Sequence, residues 1–549
     1  MADTHTKTAT NRNVLAGAAR LASYNMILQV LFRLTTFVLN ALILRHISKE
    51  MLGVVSVRLQ LLYNTILFMS GEAFRRACLS QGQHKQWTQT INLLWCSVPL
   101  AVFCSIPLIY IWMSVLEQPD PGVIANYSFS VFIFALSTWI ELSAQPLLVL
   151  AQATLFVKLK VIVEGLAVAV KSLLIASLVL FFPQLGIYIF CISQMGYVII
   201  HLSMYYGYII YYIVAKGSQD DDFPIKSVRD IFPRFQSKQQ WINPQQAYLT
   251  LSFFKQGFLK QILTEGERYI MTFFDMLSFG DQGIYDTINN LGSLAARFIF
   301  FPIEESTYLF FSQTLERGVP VDKQPKESIT LASTLLKCLL KCVVLIGLTN
   351  VVFGYAYSYL LLDIYGGSLL SSGSGPSLLR WYCFYVLLIA VNGTTEAFVF
   401  ASMSQKDVER YNKKMLLFSV FFLSASWYLS STLGSVGFIL ANCINMVARI
   451  MHSIYFIVNY FSATIYQPLY GMLPSIPVLF TFGASWLITS FSEMSLCCDE
   501  GLSYRLAHIA IGALCIVVVF VSILQSEKEL VNFVITQYRS RRGSGHGEK

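Results

Sequence analysis

The feature that most constrains this chain is a succession of apolar runs, each roughly 20 residues long and separated mostly by short polar turns. Such runs match the hydrocarbon thickness a helix must cross, and they lack the alternating pattern of a membrane β-barrel. Spans are expected near 15–44, 51–71, 89–113, 124–151, 158–182, 185–215, 249–274, 283–313, 329–362, 377–402, 411–432, 436–461, 473–491 and 505–525, about fourteen helices in all. Hydrophobic residues make up 55% of the 549 and charged residues only 13%, which excludes a soluble enzyme of this length. The expected class is therefore an all-α polytopic membrane protein. The polar first dozen residues, followed by an apolar run containing Arg20 and Arg33, do not fit a cleavable signal.

Positive charge orients the spans. With both termini cytosolic, about two dozen Lys/Arg fall on the cytosolic side and roughly three on the other, among them Arg45, Lys49 and Arg505. The far-side loops are short, so no soluble domain lies there. The sequon Asn126-Tyr127-Ser128 sits where a helix should begin and Asn392-Gly393-Thr394 inside one, so neither is expected to carry a glycan. The longest connection, 216–248, holds Asp220-Asp221-Asp222 and several basic residues and is expected to be a flexible cytosolic linker.

A weak internal repeat organises the helices. At an offset near 251, Gln145 to Gln152 lies over Glu396 to Met403, and Leu185-Gly186-Ile187 over Val436-Gly437-Phe438; at an offset near 230, Gly53 falls on Gly283. Six helices per copy make the copies parallel. The division expected is an N-terminal lobe at 1–215, the linker 216–248, a C-terminal lobe at 249–461, and a final helix pair with a basic tail at 462–549.

Charges inside apolar spans are costly unless they face protein, water or a charged ligand. Phe253 to Phe274 carries Lys260, Glu265, Glu267 and Arg268, with Lys260 and Glu267 two turns apart and Glu265 and Arg268 spaced for a helix-internal pair. Arg33, Arg58, Arg297 and Arg449 lie in other spans, with the carboxylates Glu72, Glu141, Glu164, Glu304, Glu305 and Glu396. Guanidinium groups in a bilayer suit phosphoryl oxygens, which they bind bidentately. The expected site is a cationic inter-lobe cavity in which the four arginines hold a phosphorylated head group. Lys260, Glu265, Glu267 and Arg268 are placed beside it, and Glu72, Glu304, Glu305 and Glu396 are its carboxylates. Arg75 and Arg76, with Lys158 and Lys160, are expected at its cytosolic entrance, where ordinary positive-inside anchoring is the plainer alternative.

Other features count for less. The tyrosines at 205, 206, 208, 211 and 212 suggest an interfacial belt. The 11 cysteines form no recurring ligand pair, the histidines share no motif, and no phosphate-cradling loop or nucleophile elbow occurs. No catalytic role, metal, cofactor, nucleotide or nucleic acid is expected.

The stretches FFKQGFLKQILTEGERYIMTF at 253–273, EAFRRACLS at 72–80, FPIEES at 301–306, LDIYGGSLLSSGSGP at 362–376 and VGFILANCINM at 436–446 closely resemble the animal Rft proteins of the endoplasmic reticulum. That family sits in the superfamily of multidrug extruders, polysaccharide flippases and the bacterial lipid II flippase. The resemblance implies fourteen helices in two pseudo-symmetric six-helix lobes plus a helix pair, working by alternating access; a monomer among membrane lipids is expected. It also implies movement of a dolichyl-diphosphate-linked heptasaccharide from the cytosolic to the lumenal leaflet for N-glycosylation. The alternative is a non-transporting accessory protein of the same pathway; a membrane glycosyltransferase would need a larger lumenal loop than any present.

Overall fold

A computed structural model describes residues 31–80, 86–154, 156–216, 223–235, 240–497, 501–533 and 535–536. Arg20, Asp220 to Asp222 and Cys498 lie outside the described residues. Within them the chain is helical and contains no strand. Among the described residues eleven helices are long and apolar enough to cross a membrane, and a shorter apolar helix, α1, covers Leu31–Leu44. The first unit continues with α2 (Lys49–Ser80), α3 (Trp87–Val115), α4 (Tyr127–Ala153), α5 (Lys158–Phe181) and α6 (Tyr188–Ala215), then α7 (Pro244–Thr264) and α8 (Gly266–Phe273). Helix α9 begins at Phe279–Ala295, passes through a π turn at Ala296–Phe300 and ends as Phe301–Thr314. After it come α10 (Lys326–Gly366), α11 (Gly375–Ser402), α12 (Gln405–Leu433), α13 (Ser435–Phe461), α14 (Ile476–Leu496) and α15 (Leu502–Ser526). The expected seventh and eighth spans thus appear as α7–α8 and α9, both interrupted.

Contacts divide the chain into two compact units, Met1–Gly283 and Ile284–Lys549. The first runs past the lobe boundary expected at 215, because α7 and α8 pack against α2. Its core includes Leu61, Leu62, Ile66, Trp112, Val131 and Phe134, all buried. Gly53 and Gly283, paired by the repeat, touch each other here. A Cβ on Gly53 would stand 1.7 Å from the Phe279 carbonyl oxygen, and one on Gly283 2.5 Å from the Gly53 nitrogen. Only glycine permits that backbone approach.

The connection after α6 corrects the expectation of a flexible linker. Phe223, Ile225 and Ile231 are buried in a cluster with Leu147, Tyr205 and Ile209. A short 3₁₀ turn at Val228–Ile231 is capped by Ser227. Asn92 of α3 clamps the segment, donating to the carbonyls of Arg234 and Trp241, both at 2.8 Å, and accepting from Arg234 N at 2.8 Å. Trp95 Nε1 adds a bond to the Ile231 carbonyl at 2.9 Å. The tyrosine belt is corrected in part: Tyr205 is buried, and Tyr212 packs on Phe156 and Phe223, whereas Tyr211 is exposed.

In the second unit the long α10 packs on α11 and receives the final helix pair. Charge pairs fasten that pair at both ends, Lys341 to Glu527 at 2.6 Å and Arg505 to Asp363 at 2.9 Å. Midway, Tyr357 donates to the His508 carbonyl at 2.6 Å and its ring stacks on the imidazole. Glu527, just beyond α15, also accepts from Ser475 N at 2.7 Å. Burial alone would raise its carboxyl, but the Lys341 ammonium and the Ser475 N–H outweigh that and hold it below the usual carboxylate range. A lowered folded-state pKa stabilises above the unfolded value of about 4.5 and is lost as pH falls below it. The melting temperature of the purified protein is therefore expected to drop on acidification below that value, and less steeply in Glu527→Gln.

Candidate functional site

The first unit encloses a cavity of about 600 Å³ between α2, α4, α5, α6 and α7. Its wall carries Glu72, Arg75 and Arg76 from α2, Glu141 and Gln145 from α4, and Glu164 from α5. Tyr197 and His201 of α6 complete it with Lys260, Gln261 and Glu265 from the α7 end. A π turn at Phe68–Glu72 interrupts α2 just before the two arginines, a device that re-aims side chains and recurs at functional sites. Both arginines share Glu72: Arg75 through Nη2, and Arg76 through Nε at 2.8 Å. Their side chains keep 35% and 40% of their exposure, so they are paired but still open to a ligand. Arg75 and Arg76, expected at an entrance, are thus wall residues of the cavity itself. Lys160 stands 3.8 Å from Glu164 and so at the cavity's edge, while Lys158 is exposed.

The floor is polar and connected. Tyr63 donates to Glu141, and Gln145 Nε2 donates to the Gly71 carbonyl at 2.6 Å. Behind them Lys171 Nζ donates to Gln194 at 2.6 Å, and Gln194 reaches Ser137 Oγ at 3.3 Å. Tyr197 and His201 on the wall, and Lys171 behind it, lie outside the expected set of site residues. Lys171 was findable, since a lysine inside an apolar span is the same signal that marks Glu141. Tyr197 and His201 carry no such signal.

The expected continuous seventh helix breaks at Glu265, whose φ/ψ of −100/9 leaves the α-helical region between α7 and α8. Gly266, a weak helix former, follows at the break. Lys260 and Glu267 therefore do not share one uninterrupted face. Glu265 and Arg268 form the helix-internal pair at 3.0 Å, and Glu265 also accepts from Asn64 Nδ2 at 3.1 Å. Of this group the cavity wall takes Lys260 and Glu265; Glu267 and Arg268 stand beyond it.

The four arginines occupy four different settings. Arg58 is 1% exposed: its Nη1 donates to the Thr272 carbonyl at 2.8 Å and its guanidinium lies 5.1 Å from the Phe279 ring centroid. That enclosure corrects the expectation of an open phosphate ligand. Arg33 is exposed on α1. In the second unit Arg297 is exposed on the π turn that precedes Pro302, which lacks the N–H to continue an α ladder.

Arg449 of α13 is committed to Glu396 of α11 by two bonds, Nε to Oε1 at 3.0 Å and Nη2 to Oε2 at 2.6 Å. Glu396 also accepts from Tyr411 of α12 and from Asn392 Nδ2 at 3.0 Å. The His452 ring packs on Tyr411, and Lys414 Nζ lies 3.2 Å from His452 Nε2. Glu304 of α9 approaches the same group where Gly393 leaves room: a Cβ there would be 2.6 Å from Glu304 Oε2. Glu305 is exposed. Asn392 is buried within α11, whereas Asn126 is exposed in the turn before α4. Among the described residues no cluster of three or more His, Cys, Asp or Glu could hold a metal.

The fold and this cavity define a multi-pass helical membrane protein with an ionisable chamber inside one of its units. A solved structure with the same fold is the lipid II flippase MurJ in an inward closed conformation. It matches with a TM-score of 0.61 at 13% identity, over 92% of this chain and 99% of that one. A profile described as Rft protein matches residues 18–537. The chain is 52% identical over 531 residues to the Xenopus tropicalis Man(5)GlcNAc(2)-PP-dolichol translocation protein RFT1, covering 97% of this chain and 98% of the relative. The Mus musculus protein of the same name is 51% identical over 533 residues, covering 97% and 98%. The chain belongs to the Rft protein family.

Proposed function

We propose that this protein translocates a dolichyl-diphosphate-linked Man5GlcNAc2 lipid across the endoplasmic reticulum membrane, with both termini cytosolic and the head group moving to the lumenal leaflet for N-glycosylation. The observation that carries the site assignment is the pair Arg75 and Arg76, sharing Glu72 on the wall of the 600 Å³ cavity with Lys260 on the same lining. A diphosphate replaces Glu72 as the acceptor, and each guanidinium exchanges one carboxylate for phosphoryl oxygens without a net loss of hydrogen bonds. Gln145, Gln261, Tyr197, His201 and the remaining carboxylates then face the proximal sugars, whose hydroxyls need both donors and acceptors. Lys158 and Lys160 gather the anionic head group near the rim. The polyprenyl tail stays in lipid, and the cavity alternates its exposure between the two sides. No covalent step is involved, and consumption of the lipid in the lumen supplies direction.

Binding tests the site separately from transport. Purified protein titrated with a short-chain polyprenyl diphosphate chitobiose is expected to bind it, and Arg75→Gln/Arg76→Gln to bind it at least about tenfold more weakly, since each charge-assisted bond is worth about 1.5–3 kcal/mol. Equal binding by that variant removes the diphosphate from this cavity.

A further inference from the structure

A second cavity, of about 560 Å³, opens in the second unit between α10, α11 and α14, lined by Tyr355, Tyr359, Arg380, Trp486, Ser490 and Glu493. Arg380 spans it: Nη2 donates to Glu493 at 2.6 Å, Nε donates to the Tyr355 carbonyl at 3.0 Å, and the guanidinium lies 4.7 Å from the Tyr355 ring centroid. Tyr355 and Trp486 meet edge to face with centroids 5.8 Å apart. Ser490 Oγ is buried and has no hydrogen-bond partner among the described residues. None of these groups belongs to the diphosphate site proposed above.

We propose that this cavity is a phospholipid site that takes a phosphocholine head group. Tyr355, Tyr359 and Trp486 line the cavity together with the Glu493 carboxylate, the groups that suit a large, weakly hydrated ammonium. A guanidinium and a hydroxyl with an unused hydrogen bond suit the phosphate. The head group carries both charges, so it bridges or opens the Arg380–Glu493 pair without leaving either partner unmatched. A simple anion would meet Glu493, and a simple ammonium would meet Arg380. The bordering face of α14 decides between a lipid and a soluble glycan. Leu487, Phe491 and Met494 are exposed there, an apolar flank along which acyl chains run and which a sugar cannot use.

Native mass spectrometry of the full-length detergent-purified protein, titrated with dioleoyl phosphatidylcholine or dioleoyl phosphatidylglycerol, reads this directly. The first phosphatidylcholine is expected to bind about tenfold more tightly than phosphatidylglycerol and to be displaced by soluble phosphocholine. The preference is expected to vanish in Trp486→Leu and to shrink severalfold in Ser490→Ala. Ser490→Ala removes a hydroxyl with no hydrogen-bond partner among the described residues, so it decides the matter should Trp486→Leu fail to fold. Equal binding of the two lipids overturns the proposal. So does a preference undiminished in Ser490→Ala, or displacement by a soluble mannose oligosaccharide but not by phosphocholine.

Discussion

Arg449→Gln is expected to reduce folded protein sharply, and Arg449→Gln/Glu396→Gln to recover most of it. Glu396 is 4% exposed and draws both guanidinium bonds, the Tyr411 hydroxyl and the Asn392 amide to itself, so three helices meet at one carboxylate. Removing Arg449 alone strands that charge away from water, at a cost of about 3–5 kcal/mol against a whole-domain stability of about 5–15 kcal/mol. Removing both charges leaves two amides able to hydrogen-bond each other, which costs far less. Size-exclusion yield and melting temperature of the two variants beside the parent check this. A single variant that folds like the parent and loses only translocation would instead place Arg449 on the substrate.

The second large effect is the reverse in kind. Arg75→Gln/Arg76→Gln is expected to keep yield and melting temperature near those of the parent while translocation falls by at least about tenfold. Both side chains are partly exposed, Glu72 retains 24% of its own exposure, and exposed ion pairs contribute only about 0–1 kcal/mol to stability. The fold therefore tolerates their loss, and a diphosphate does not. Arg75→Lys/Arg76→Lys keeps charge but not the bidentate fork, and is expected to fall between the two.

The helices and the membrane class were legible because the apolar runs are long and the hydrocarbon thickness is fixed. That charges face a polar interior was legible, since Glu72, Glu141, Glu164, Lys260 and Glu265 stand where lipid forbids them and line one cavity, but the cavity expected around Arg33, Arg58, Arg297 and Arg449 was not this one: none of those four lines it. What a buried charge does was not legible. Arg58 and Arg449 look alike in sequence to any phosphate-binding arginine, yet one is enclosed by the Thr272 carbonyl and Phe279 and the other is spent on Glu396. Pairing depends on which residue of a neighbouring helix comes opposite, and spacing along the chain does not encode that. Arg75 and Arg76 err the other way, because their place at a helix end fits positive-inside anchoring equally well. The segment after α6 was misread for a further reason: its polar composition hides the few residues, Phe223, Ile225 and Ile231, that the Asn92 clamp holds in the core.

Movement of the lipid by this polypeptide alone is what separates a translocator from an accessory of the pathway. The most direct measurement is transbilayer movement of a labelled dolichyl-diphosphate Man5GlcNAc2 lipid in liposomes holding only the purified protein, read by access of a membrane-impermeant mannosidase. Crossing is expected to run well above the rate in protein-free liposomes and to fall back to near that rate in Arg75→Gln/Arg76→Gln. Crossing no faster with the protein than without it would contradict the proposed translocation and leave the chain as an accessory of the pathway.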